Sequence, residues 1–483
     1  MSQAFKRGAL YLTIANAIFL GSSYIIQVLL GRFLGPAEYG VLGVVIYTLS
    51  LTEYFFGSGL FLATSKYIAE KPAATKSIIK ISKRIQLSLA IIFAGLFIIL
   101  ANPLAKLFNE PDITNFIRIL ALIAPIYGFR SLYQSFLNGQ QQFGKQAVSM
   151  IAGATVKIIG VITVLWIGLG IAGVLFAYLA GGLGGLIFAW YLMERRPEGD
   201  EIFPAKKLIV TTLPLIAYLI MFPLIFNIDL FMVKILMADT EAAGYYTAAS
   251  TIARLPFFLF TSLAVVLLPS ISAAIAQQNY EKISYYIRQT LRIGIIIILP
   301  LTILIMTTAD NLINILYTDA FSPAAWPLTI LAAGMFFLTL FKLTTTIIIG
   351  GRRPVSIIYY VLSLLIVDIV ANILLIPKYG LAGAALASGL MALLGFVITS
   401  IIVYAKHRSF IPMSSVLKIL FAGATIVLLS YLFPNTITGS ISSYILLPIV
   451  FFLVLHITKE LALSDIKSLL VWRSKPNHED TTV

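Results

Sequence analysis

Cysteine is absent from this chain, and charge is scarce: only 11% of its 483 residues are Asp, Glu, Lys or Arg. The first absence excludes disulfides, thiolate metal sites and thiol chemistry, and leaves the compartment open. The second excludes an ordinary soluble domain, in which about 25% of residues are charged. Histidine is sparse as well: His407, His456 and His478 stand far apart and make no metal-ligand cluster. What remains is 59% hydrophobic, and most of it must lie in lipid. At the start, Lys6-Arg7 precedes apolar sequence up to Gly31. That run is longer than a signal-peptide core and lacks a small-residue cleavage site, so it reads as a retained first span.

Apolar windows of about 20 residues, the length that crosses a bilayer, recur fourteen times between polar or Gly/Pro breaks. They run over 9–31, 40–64, 85–107, 114–137, 147–168, 172–193, 208–236, 242–269, 291–313, 324–349, 355–376, 382–405, 417–434 and 443–463, and are numbered here as spans 1 to 14. The predicted fold class is an all-α integral membrane protein. A net charge of +14 raises the possibility of nucleic acid, but the distribution of the charge answers it. With Lys6 and Arg7 inside, 25 of the 34 Lys and Arg fall in inside segments, 65–84 and 194–207 among them. Only Arg32, Lys106, Lys234 and Lys378 mark outside ends, and five lie within spans. This is the positive-inside bias of a multi-pass protein with both termini cytoplasmic, in the plasma membrane, with no nucleic-acid partner.

Two stretches match at long range. Gly-Leu-Gly-Ile-Ala-Gly-Val-Leu-Phe-Ala at 168–177 resembles Lys-Tyr-Gly-Leu-Ala-Gly-Ala-Ala-Leu-Ala at 378–387, pairing Gly170 with Gly380 and Gly173 with Gly383. Six spans precede the second copy, so the two halves share one orientation and relate by an axis along the membrane normal. A looser match joins Arg32–Gly40 to Lys234–Gly244. The expected organisation is therefore a first six-helix lobe over 1–193, a cytoplasmic linker over 194–207 and a second lobe over 208–405. Spans 13 and 14 are an addition within 406–463, and 464–483 is a polar cytoplasmic tail. The stretch 271–290, with Ile275, Ile283, Tyr286 and Ile287 among polar residues, reads as an amphipathic segment on the inner surface.

One nucleotide-binding pattern nearly appears. Gly139-Gln-Gln-Gln-Phe-Gly144-Lys145 has the phosphate-loop spacing, but Gln146 stands where Ser or Thr would hold magnesium, and no strand precedes it. Neither a built-in ATPase nor a cofactor is expected. Charges within spans carry more. They are costly in hydrocarbon and belong in a bundle interior or a watery cavity. The basic ones are Arg118, Arg130, Lys157, Arg254 and Lys342; the acidic ones are Glu53, Asp229 and Asp368. Arg118 lies near an outer end and can snorkel. Arg130, nine residues before Gly139, and Lys342, eight before Gly350, sit at nearly equivalent depths in the two halves. Such cations suit an anionic substrate, while the carboxylates either couple proton or sodium entry or balance the cations. Pro214 and Pro223 interrupt span 7 just before Asn227 and Asp229, making it the expected bending gate.

Leu-Gly-Arg-Phe-Leu-Gly-Pro-Ala-Glu-Tyr-Gly at 30–40 resembles the opening motif of the polysaccharide-biosynthesis flippases, of the multidrug/oligosaccharidyl-lipid/polysaccharide exporter superfamily. The Leu-Asn-Gly-Gln-Gln-Gln-Phe turn at 137–143 and the Gly-x-x-Gly starts of spans 6 and 12 are similar to it as well. The resemblance implies two six-helix lobes around a central cavity, with a polyprenyl-(pyro)phosphate glycan carried across by alternating access. It implies that basic cavity residues hold the phosphate and that spans 13 and 14 form a groove for the lipid tail. By motif position Arg32 carries over, near the outer opening; Arg254 matches by position only. No feature specific to lipid II stands in the sequence.

The expected function is translocation of a lipid-linked oligosaccharide for surface-glycan assembly, with membrane lipids and glycan-assembly enzymes as further partners. Substrate contacts fall to Arg32, Arg130, Lys157, Arg254 and Lys342, and ion coupling or charge balance to Glu53, Asp229 and Asp368. An ion-coupled drug or metabolite antiporter of the same superfamily is the alternative, though organic cations call for an acidic cavity. An integral-membrane enzyme would need a large outward loop with acid or base residues. The outward connections are short, and Glu110, Asp112, Asp310 and Asp319 read as solvated loop charges.

Overall fold

The computed structural model describes residues 3–193, 200–237, 239–258, 260, 277, 279–350, 354–434 and 436–461. Among these, the regular structure is helical throughout, as lipid demands of a chain whose backbone groups must be satisfied internally. Ten helices are long and apolar enough to cross a membrane, and the bent helix Ala205–Leu236 makes eleven. Two of the ten are longer than any single crossing. Gln3–Glu53 has non-helical backbone at Gly35 (φ 73°) and Pro354–His407 at Gly380 (φ 56°).

The chain reverses at both glycines. Tyr39 Oη donates to Gln27 Oε1 at 3.0 Å, a contact that a continuous helix would hold about 18 Å apart. A Cβ on Gly383 would strike the carbonyl of Leu375. Each long helix is therefore two passes. With these splits and the bent helix, the described residues supply thirteen of the fourteen expected passes; of span 8 they include the helix Ala242–Ala253, and residues 261–269 lie outside the description. The fold is an all-helical membrane architecture of two six-span lobes with two added spans.

Backbone geometry bears on the repeat. Gly170 (φ 57°) and Gly380 (φ 56°) both have positive φ, which glycine adopts at the least cost. Their partners Gly173 and Gly383 each sit where a Cβ would collide with the preceding helix, at Val164 and Leu375 respectively. The matched hairpins of the looser repeat meet each other. A Cβ on Gly40 would lie 2.6 Å from the Gly244 nitrogen, and one on Gly244 would overlap the Pro36 carbonyl. The two reversals cross backbone to backbone, so a side chain at either glycine would force the lobes apart. Within lobes, small residues give similar approach, with Gly153 against Gly185 and Gly334 against Gly389.

Several boundaries differ from expectation. The helix of span 9 begins at Tyr280, not 291, and runs unbroken to Thr307. The amphipathic stretch is thus, from 280 onward, the first turns of span 9 rather than a separate surface segment. Ile283 and Ile287 are buried there, while Tyr280 and Tyr285 are exposed. Its earlier part, residues 271–276 and 278, lies outside the described residues, as do residues 194–199 of the linker, Arg352, Arg353 and the tail. In span 2 the α-helix widens into a π turn, Tyr54–Ser58, directly after Glu53, a geometry concentrated at functional sites.

Candidate functional site

The intramembrane charges gather into two groups, one in each lobe, with Arg254 between them. In the first lobe Glu53 of span 2 meets Arg130 of span 4, with Arg130 Nη2 3.8 Å from Glu53 Oε1. The guanidinium also lies over the Tyr127 ring, 4.2 Å from its centroid, and its Nε is buried without a hydrogen-bond partner. Lys157 of span 5 is 7% exposed. Its ammonium faces the rings of Phe19 and Tyr178, 5.1 and 5.0 Å from their centroids. Glu53 is within electrostatic reach of both cations. One carboxylate thus serves two buried cations, and aromatic faces complete their surroundings.

Local sequence explains how such cations are tolerated. Gly181 packs on the Lys157 backbone and Cβ, and Gly185 on the Arg130 side chain, each where a Cβ would come within 2.6 and 2.8 Å. The Gly181–Gly185 run on span 6 therefore makes room for the basic stems of spans 4 and 5. Ser149 Oγ, which donates to the Gly185 carbonyl at 2.8 Å, fixes the same junction.

In the second lobe the balance is reversed. Asp229 of span 7 and Asp368 of span 11 are 3% and 0% exposed, and they share neutral partners. Asn372 Nδ2 donates to Asp229 Oδ1 at 2.8 Å and to the Asp368 carbonyl at 2.9 Å. Ser388 Oγ of span 12 donates to Asp229 Oδ2, and Tyr246 of span 8 packs fully buried beside them. Asp368 Oδ2 and Asn372 Oδ1 are buried without hydrogen-bond partners. Four spans thus converge on two carboxylates and unsatisfied oxygens.

Arg254 is the C-terminal residue of a helix break, just after Ala242–Ala253, and is 8% exposed. Its guanidinium donates to the Phe226 carbonyl and, at 3.5 Å, to Asn227 Oδ1 of span 7. It lies over Tyr47 of span 2 and Phe226, with centroids at 4.9 and 5.2 Å. One side chain therefore touches both lobes and stands within electrostatic reach of Asp229. The carbonyl it engages is near the proline bend. Segments Ala205–Met221 and Pro223–Leu236 meet at 48°, and Asn227 Nδ2 donates back to the Pro223 carbonyl at 2.6 Å. Pro214 lies exposed a few turns earlier.

The remaining expected contacts stand apart. Arg32 is exposed beside the Gly35 reversal and joins neither group. Lys342 is half-buried on span 10, eight residues from the end of its helix at Gly350. Arg130 has a carboxylate beside it, that of Glu53. Glu110, expected as a solvated loop charge, instead pairs with Lys234 at 3.0 Å, the lysine being 5% exposed at its side chain. This pair ties the first lobe to the end of span 7. Tyr39 and Tyr317 bring their hydroxyls to 3.4 Å and pack against Phe321, the first edge-on and the second tilted. At the opposite, lysine-rich end, Tyr67 and Thr211 share a hydrogen bond of 2.7 Å across the lobes. Lys71 and Lys76 pair with Glu201 and Asp200 of the linker at 3.3 and 2.9 Å. The lobes are joined at both ends.

Sequence reasoning missed Asn372, Ser388 and Tyr246. Asn372 was within reach, since four residues after Asp368 is the same helix face; the other two are neutral residues in ordinary apolar runs.

A family model described as polysaccharide biosynthesis protein matches residues 29–326. The chain belongs to this family. Stage V sporulation protein B of Bacillus subtilis is 24% identical over 461 residues, covering 86% of each chain. The lipid III flippase of Escherichia coli is 21% identical over 160 residues, covering 32% of this chain and 38% of its own. Among solved structures, the lipid II flippase MurJ in an inward closed conformation superposes with a TM-score of 0.74 at 17% identity, over 96% of this chain and 100% of its own. An inward-facing multidrug transporter of the same superfamily gives 0.70 at 16% identity, over 82% and 98%. The family member described here is therefore a multi-pass membrane protein that shares the fold of these two solved transporters.

Proposed function

We propose that the protein translocates a polyprenyl-(pyro)phosphate-linked oligosaccharide across the cytoplasmic membrane for surface-glycan assembly, by alternating access of its two lobes. The observation that carries this reading is the cationic surplus of the first lobe. Arg130 and Lys157 share a single carboxylate in surroundings of low dielectric, where an arriving phosphate interacts far more strongly than in water. Arg254, contacting span 2 on one side and span 7 on the other, senses the relative position of the lobes. In this reading the phosphate engages Arg130 and Lys157 and draws Glu53 away, while Arg254 completes the contact. Arg32 and Lys342 lie at entry or exit rather than at the central site.

Coupling falls to the second lobe. Asp229 and Asp368, with the unpartnered oxygens of Asp368 and Asn372, suit a proton or a sodium ion, which takes hard oxygen ligands. Binding there would change the hydrogen bonds that Asp229 makes to spans 11 and 12, and thereby the angle at Pro223. The carboxylate pair also favours the second reading, an ion-coupled antiporter. That reading needs an acidic substrate cavity, and the acidic group here is sealed by Asn372 and Ser388.

The test is purified protein in liposomes carrying a fluorescent lipid-linked oligosaccharide, with movement between leaflets measured beside Arg254→Ala. Movement in the wild type, and its loss in a folded variant, supports the flippase. No movement of several such lipids, with cationic-dye uptake under an ion gradient, would replace it with the antiporter.

A further inference from the structure

A groove opens on the outer wall of the first lobe, away from the two charge groups, and nothing in the transport reading uses it. Phe129 and Tyr133 of span 4 and Leu186, Ile187 and Trp190 of span 6 line a space of about 330 Å³. Ile187 and Trp190 are 56% and 51% exposed. On a spanning helix, exposed residues of this kind meet lipid.

Its depth is set by the helix ends. Trp190 is two residues from the end of Gly170–Leu192, and Tyr133 six from the end of Ile113–Gly139. At 1.5 Å per residue these are about 3 and 9 Å from the lysine-rich end. That is the depth at which Trp and Tyr rings favour the headgroup boundary. The groove is apolar along its floor, but a cation stands at its rim. Lys83 of span 3 holds its ammonium over the Tyr133 ring, 5.0 Å from the centroid. Lys83 lies eight residues into Thr75–Leu107, so its stem runs along hydrocarbon while its head reaches the interface.

From this juxtaposition we infer a binding site for one anionic phospholipid of the leaflet at the lysine-rich end. An acyl chain lies against Phe129, Leu186 and Ile187, and the phosphate meets Lys83 beside Tyr133. Charge complementarity selects the occupant: a zwitterionic lipid carries its own cation to the same place and gains less. The substrate reading is not required, because no residue lining the groove belongs to either charge group. A lipid seated there would brace span 4 against span 6, the pair whose packing positions Arg130.

The experiment uses the full chain in detergent, titrated with phosphatidylglycerol or phosphatidylcholine of identical acyl chains and read by native mass spectrometry. The wild type should retain one phosphatidylglycerol more tightly than phosphatidylcholine. Lys83→Ala should weaken that retention about fivefold, the scale of one lysine at an anionic interface, and leave phosphatidylcholine unchanged. Lys282→Ala, an exposed lysine of the other lobe, should change neither. Equal retention by wild type and Lys83→Ala, or an equal fall in Lys282→Ala, overturns the site. A second measurement needs no variant in the headgroup contact. Brominated phosphatidylglycerol should quench wild-type tryptophan fluorescence more than the brominated zwitterion does, and Trp190→Phe should remove that difference. Persistence of the difference in Trp190→Phe also overturns it.

Discussion

The two lobes repeat a backbone and diverge in their charge. Gly170 and Gly380 both turn with positive φ, yet the first lobe holds two cations around one carboxylate and the second holds two carboxylates among neutral amides and hydroxyls. The difference teaches where the duplicated architecture has been specialised. Glycines that let helices approach are held in register. The residues projecting into the interior are free to change sign, because each group is neutralised locally, by rings and a shared carboxylate in one lobe and by donors in the other. Arg254 breaks the symmetry, since it is anchored on the second lobe and stacked on Tyr47 of the first.

Variants can break this comparison. The largest effect is expected for Arg254→Ala, which removes a buried charge and strands its acceptors at Phe226 and Asn227. Losing one member of such a buried set costs on the order of 3–5 kcal/mol. Transport should fall below detection, and a thermal melt in detergent should drop clearly, with Arg254→Lys recovering the melt more than the transport. Asp229→Asn comes next. It replaces the acceptor of Asn372 and Ser388, and the dependence of transport on an ion gradient should vanish while phosphate-lipid binding persists.

Glu53→Gln sharpens the contrast in the opposite direction. With the shared carboxylate neutralised, Arg130 and Lys157 should bind a lipid phosphate roughly tenfold more tightly, an effect of about 1.4 kcal/mol. Turnover should slow as release becomes limiting, which a binding titration set beside a transport assay would reveal. Lys234→Ala removes the cross-lobe pair with Glu110, and an effect of about 1 kcal/mol should appear as faster cross-linking of cysteines introduced on the flanking hairpins.

The smallest effect concerns the linker. The hydrogen bond and charge of Lys76 hold the Asp200 carboxyl below the ordinary aspartate range. A depressed carboxyl contributes above its ordinary pKa and loses that contribution as the pH falls through the lowered value. Proteolysis near residues 200–204 should therefore quicken in acid, and Lys76→Ala should quicken it at neutral pH and remove the acid dependence.

Much of this was legible beforehand. Span count follows from hydropathy, since lipid leaves few alternatives to a run of apolar residues, and the 168–177 repeat flagged the glycines whose backbone turns coincide. Arg130, Lys157, Arg254, Glu53, Asp229 and Asp368 stand out because a charge in hydrocarbon demands a reason. Which of them meet was hidden, because it depends on helix rotation about each axis. Arg130 meets Glu53, a contact that its place along span 4 does not mark. Ser388 and Tyr246 carry no charge to mark them, and Glu110 looks like any loop acid until Lys234 is brought beside it. The π turn after Glu53 has no apolar period that differs from that of an α-helix.

The most direct test measures two bindings on two variants. Lys157→Gln and Asp229→Asn would each be titrated with a lipid-linked phosphate and, separately, with sodium or protons. Loss of phosphate binding alone in Lys157→Gln, and of cation binding alone in Asp229→Asn, is the expected result. If either variant loses both, or the losses are exchanged, the division of labour between the lobes is wrong.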